Sequence, residues 1–246
     1  MNEAMLEGQL EFAEWADSER GVQEKIGNGD LDSAARVVAE GLERCGIGRD
    51  ELVAEDLIVS SGETLVLHGH PRQKSPLARG TAWLQTGDLD VMKRWVGLPN
   101  QIASSKIGFT FAPAELPEPA VLEGRETFSS EEQEILNRAL KAYLYGQSAG
   151  LQAYKPLLEE YRAFLGRQHP GLTEGFVIGV WRARRIVIEA GGLLVITGPL
   201  ASALIVDEMD IHAGGTLNIQ SIAYLNIGTL RKLEKSQGEG ANETSN

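Results

Sequence analysis

Much of the chemistry that announces an enzyme is absent from this chain. Its one cysteine, Cys45, permits no internal disulfide, so the fold does not depend on an oxidising compartment. Cys45 stands among Leu42, Gly46 and Ile47, which suits a small buried hydrophobe at a helix end. Positive charge is scarce: 23 Lys and Arg face 35 Asp and Glu, and the net charge of −12 repels nucleic acid and anionic lipid. No nucleic-acid partner is expected. The first residues (Met-Asn-Glu-Ala-Met-Leu-Glu) lack a basic stretch followed by an apolar one, so no secretory signal is read and the expected compartment is the cytoplasm.

Other signatures are missing too. No Gly-x-Gly-x-x-Gly follows a strand pattern, and there is no Walker A loop, Gly-x-Ser-x-Gly elbow, His-Glu-x-x-His or Cys-x-x-Cys. One long uncharged stretch, Ala190 to Val206, is broken by paired glycines and by Gly198-Pro199. A lone spanning helix is longer and less interrupted, so buried strands are expected there and a membrane partner is disfavoured.

What is present is a pattern that occurs three times. It reads Leu57-Ile-Val-Ser-Ser-Gly62-Glu-Thr-Leu65-Val-Leu67, Ile186-Val-Ile-Glu-Ala-Gly191-Gly-Leu-Leu194-Val-Ile196 and Met209-Asp-Ile-His-Ala-Gly214-Gly-Thr-Leu217-Asn-Ile219. Each copy is an apolar alternation, a Gly turn and a second alternation. The last two copies start 23 residues apart, a spacing that suggests stacked units. A third strand-like run follows each, Leu204-Ile-Val206 and Leu225-Asn-Ile227.

Two folds fit. The first is α+β: a short parallel β-solenoid of two to four coils, with N-terminal helices and an inserted helical pair. It would stack Ile188 on Ile211, Leu194 on Leu217, Ile196 on Ile219 and Leu204 on Ile227, with Gly191 and Gly214 at a corner of positive φ. The second is a β-sandwich or barrel of hairpins with helices. In general pattern the first resembles the short β-helical modules of bacterial assembly proteins, such as the bactofilins and the C-terminal domain of a cell-division inhibitor. No diagnostic motif accompanies that resemblance, and no family follows from it.

Along the chain, residues 1–50 read as helical, with Leu6, Leu10, Phe12, Ala13 and Trp15 as an apolar stripe. A further helix runs from Ser33, with Asp32 as N-cap and Gly46 as stop. Residues 51–112 are β-rich and include a degenerate echo of the motif, Ala82 to Val91. A proline-rich connection spans 113–128. The helical pair occupies 129–170, opened by a Ser130/Gln133 capping box and continued from Pro156. The β-repeats fill 171–236, and a polar tail, 237–246, is expected to be disordered.

Four groups of residues are candidates for chemistry. Gly62 followed by His68-Gly-His70 matches the opening of the cupin metal motif, Gly-x5-His-x-His, but the glutamate and the second block of that motif are missing. His68 and His70 would still share a strand face and bind a metal if a third ligand arrived. Glu189 and His212 hold equivalent repeat positions, so a stack would set them side by side as an acid–base pair or as an ordinary surface pair. Arg182 and Arg184 on one strand face, with Trp181 and Arg185 on the other, form the basic cluster, fit for an acidic ligand or partner or for neutralising this chain's own carboxylates. Asp207, Glu208 and Asp210 read as a solvated acidic turn.

The function expected is therefore binding or assembly without catalysis, with the solenoid as the surface for a homo-oligomer or protein partner. No cofactor is expected. The alternatives are a carbohydrate-binding or carbohydrate-active β-helical protein, and a membrane-active protein inserting Ala190 to Val206.

Overall fold

In the computed structural model, the residues described are 22–27, 30–97, 116, 127–146, 148–168, 176–198, 201–221 and 223–233. The apolar stripe of residues 6–15, the tail 237–246 and all of Pro113–Pro119 except Leu116 lie outside them. Among the described residues the chain is a mixed α/β protein with parallel sheets and four α-helices. No closed barrel is formed among the described residues.

The three glycine motifs lie on one another. Strands β2 (Glu55–Val59) and β3 (Thr64–His68) flank Gly62, β5 (Phe176–Ile188) and β6 (Leu193–Thr197) flank Gly191, and β7 (Ser202–His212) and β8 (Thr216–Ile219) flank Gly214. The two strands of each motif belong to different sheets. In one sheet β2, β5 and β7 are parallel neighbours, and in the other β3, β6 and β8 are. Hairpins would instead pair each strand with its own turn-mate, so the hairpin alternative does not hold for these strands.

Register follows the sequence copies. Ile188 lies beside Ile211, Leu194 beside Leu217 and Ile196 beside Ile219, while Val59 and Leu65 of the first copy join the same rows through Ile188 and Leu194. The expected fourth pair is corrected: β9 (Ala223–Leu233) sets Leu225, not Ile227, beside Leu204. Counted between paired positions, the path from Ile219 to Leu225 is two residues shorter than that from Ile196 to Leu204. A shift of two preserves which face each side chain takes, so Val206 simply meets Ile227 and the interior stays aliphatic.

Two glycine positions make the corner. Gly62, Gly191 and Gly214 have φ of 75°, 80° and 87°, a region that favours glycine, and their backbones are hydrogen-bonded in series. The next residue is glycine only in the later copies. A Cβ at Gly192 would lie 2.6 Å from the Val59 carbonyl oxygen, and one at Gly215 would lie 2.7 Å from that of Ile188. The first copy carries Glu63 there, and no described rung lies beneath it.

The remaining elements cover this stack. β1 (Val22–Ile26) pairs in parallel with the first half of β9, which corrects the helical reading of that part of residues 1–50. β4 (Thr81–Thr86) runs antiparallel to the first half of β5. Helix α1 (Leu31–Arg44) packs on β9 and β7. Its N-cap is Asp30, whose carboxylate accepts from the Ser33 N–H at 2.7 Å, rather than Asp32. Its end is a Schellman turn: Gly46 (φ 68°) donates to Glu43 O and Ile47 to Leu42 O, with Leu42 and Ile47 both buried.

Helix α2 (Leu89–Val96) replaces the second half of the expected degenerate coil. Asp88 caps it, and Leu89, Met92, Lys93 and Val96 are buried at helical spacing. Helices α3 (Ser130–Tyr145) and α4 (Lys155–Gln168) are the expected pair, joined by a 3₁₀ turn over Ser148–Tyr154. The capping box is Ser129 with Glu132, one residue earlier than expected, and the Gln133 side chain donates to Phe128 O. Tyr143, Tyr145, Leu158 and Tyr161 join the stack's aliphatic rows in one core.

Candidate functional site

Inner side chains are not equally covered along the stack. At the first rung Leu57, Val59 and Leu67 are buried in one cluster with Leu77. At the far end Ile211, Leu217 and Leu230 are only partly buried and Leu233 is 41% exposed. A cavity of about 500 Å³ opens there between the ends of β7 and β9 and the start of β8. The cause is architectural. In the larger sheet β2, β5, β7 and β9 follow one another, with β1 beyond only the first half of β9, whereas the smaller sheet has β3, β6 and β8, so the second half of β9 overhangs without an opposite strand among the described residues.

Lys232 belongs to this cavity. Register places it beside Ile211, which follows Ile188 and Val59, so a lysine ends an otherwise aliphatic inward row. Its side chain is exposed. His212 stands on the same rim.

The basic cluster is engaged with this chain's own carboxylates. Trp181 is completely buried. Arg182 is buried and reaches Asp207 at 2.6 Å, Arg184 pairs with Asp56, and Arg185 binds Asp210 through Nε at 3.0 Å and Nη2 at 2.6 Å. The expected alternation of faces breaks because the strand is irregular here: Ala183 is inside while Arg184 and Arg185 are both exposed, opposite a register shift between Glu55 and Asp56.

Asp210 is 2% exposed and accepts from both Arg185 and Arg231, and Glu208 takes Arg231 as well. Burial pushes the Asp210 carboxyl up, but the hydrogen bonds from Arg185 and Arg231 outweigh it and the net shift is downward. The acidic turn is thus part of an ionic ladder across β5, β7 and β9, not a solvated loop.

Glu189 and His212 do occupy equivalent ends of β5 and β7. The hydrogen bond of the Glu189 carboxylate goes to the Ser61 N–H at 3.2 Å, and it makes no ion pair with His212. His68 ends β3 and His70 lies beyond it in a turn; their rings are edge-on with centroids 6.2 Å apart. His70 Nδ1 accepts from the Arg72 N–H, while His68 Nδ1 is buried with no hydrogen-bond partner. Burial, and then the neighbouring His70, lower the His68 pKa. Among the described residues no three His, Cys, Asp or Glu side chains gather as a metal site. Cys45 is buried, and desolvation pushes its thiol up to about 12.

One polar cluster was not foreseen. Lys155 at the start of α4 binds Asp88 at 2.9 Å and Asp90 at 2.6 Å, the Tyr143 hydroxyl donates to Asp90, and Gln152 donates to that hydroxyl. Glu159 accepts from the Leu89 N–H. Burial raises the Asp90 carboxyl, but bonds from Lys155 and Tyr143 outweigh that and lower it. Every carboxylate has a partner at the α2 N-terminus, which reads as a clamp fixing α2 to α3 and α4.

The class defined at this point is a mixed α/β protein with stacked parallel motifs and one open apolar end. No protein-family model, curated protein or solved structure matches the chain. Among the described residues no helix is long and apolar enough to cross a membrane.

Proposed function

We propose that the stacked motifs form a short β-solenoid whose open end is a non-catalytic docking surface for a protein segment. The observation that carries this reading is the cavity of about 500 Å³ between β7, β8 and the overhanging β9. A stack of aliphatic rows buries each rung on the next, so its last rung leaves apolar surface to be covered by something. The ion pairs of Arg182, Arg184 and Arg185 support placing the contact at the stack end rather than on the basic cluster, because their charges already have carboxylate partners.

The segment that fits is a further copy of the repeated unit. A fluorescein-labelled peptide copying residues 213–221 (Ala-Gly-Gly-Thr-Leu-Asn-Ile-Gln-Ser) is therefore expected to bind the full chain, with Leu233→Asp removing the binding while the thermal midpoint changes by only a few degrees. Fluorescence anisotropy measures this. Equal binding by the wild type and Leu233→Asp would place the contact elsewhere.

A further inference from the structure

We infer that the occupant of the open end is an extended segment of a different protein, apolar at alternate positions and carrying one carboxylate that meets Lys232. This rests on the docking surface proposed above and specifies its chemistry.

Lys232 carries the inference. In the inward row Val59, Ile188, Ile211, Lys232, three aliphatic side chains are followed by a charged one. Inward-pointing lysine on the half of β9 beyond its pairing with β1 opposes indiscriminate edge contact, because apolar cover would strip its ammonium of water without returning a partner. A carboxylate placed opposite turns that obstacle into selection. β7 ends at His212 and β8 begins at Thr216, so Ile211 and Leu217 both lie next to the corner and line the cavity with Lys232. A segment continuing the stack therefore offers Lys232 the position equivalent to Leu217.

A second copy of this chain fits poorly. Its first rung already has Leu57, Val59 and Leu67 buried, so that end offers a second copy no apolar opening to match the one at the far end. A two-fold contact at the open end brings Lys232 of both copies into one cavity, between chains that each carry −12. The chain's own next unit is no better, since Gly238 and Gly240 stand 21 positions after Leu217 and Ile219, the spacing that relates β7 to β9.

The test uses the full chain and three versions of the 213–221 peptide: unaltered, Leu217→Glu and Leu217→Gln. The Glu version is expected to bind about tenfold tighter than the Gln version at low salt, and the gap should close in high salt and with Lys232→Met. Equal binding of Glu and Gln versions, with Leu233→Asp still abolishing both, overturns the carboxylate contact with Lys232 and leaves the docking surface standing. No binding by any peptide overturns both. A dimer in light scattering that Leu233→Asp converts to monomer also overturns the partner assignment, with a second copy as the occupant.

Discussion

At the scale of single residues, the stack is set by what a Cβ or a charge would meet. Gly191 has room for a methyl group, with its nearest neighbour at 3.4 Å, but its φ of 80° is unfavourable for alanine. Gly192 has the opposite problem, because a Cβ there would meet the Val59 carbonyl at 2.6 Å. Gly191→Ala should cost about 1 kcal/mol, and Gly192→Ala should cost more because backbone has to move. Urea unfolding of both variants checks the order; the reverse order would mean that the rungs are not in close contact. His68 gives a pH dependence. Its folded pKa lies below the ordinary value, so as pH falls the unfolded chain takes up the proton first. Stability from this group is complete above about pH 6.5 and declines as pH drops from there through the folded value. The urea midpoint should therefore fall between pH 7.5 and 5.5, and fall less in His68→Gln.

At the scale of elements, parity governs. The path from Ile219 to Leu225 is two residues shorter than the paired path from Ile196 to Leu204, and the aliphatic rows survive. Inserting one residue between Ile219 and Ala223 would turn Leu225 and Ile227 outward, whereas inserting two would restore their face. The one-residue variant should lose several kcal/mol, as multiple buried aliphatics leave the core, and the two-residue variant much less. Circular dichroism melts of the pair test this; equal melts would contradict the inward rows.

How much could be read in advance follows the same local logic. Gly turns and aliphatic alternation are local signals, so three of the four stacked pairs were legible from the repeats. The fourth failed because corner length is fixed by the connection, not by the motif. β1 was not legible because its identity as a strand comes from β9, about 200 positions away. α2 was misread because Leu89 and Val91 alternate as a strand would, while its Asp88 cap and the Leu89, Met92, Val96 spacing are the helical signals. Of the candidate site, the arginines were visible but their partners were not. Lys232 was missed because its inward direction appears only once β9 is aligned on β7; its place 21 positions after Ile211 was the available signal.

At the scale of the whole molecule, charge and shape are unevenly distributed. The chain is strongly acidic, Arg185, Asp210 and Arg231 pair with one another in the ladder, and the apolar end carries a lysine. Recognition by shape and by one opposite charge is what such an end can offer. Hydrogen–deuterium exchange of the full chain, with and without the Leu217→Glu peptide, tests this most directly. Slowed exchange confined to residues 213–217 and 229–233 is the predicted result. Unchanged exchange there, or protection appearing instead around Arg182–Arg185, would contradict it.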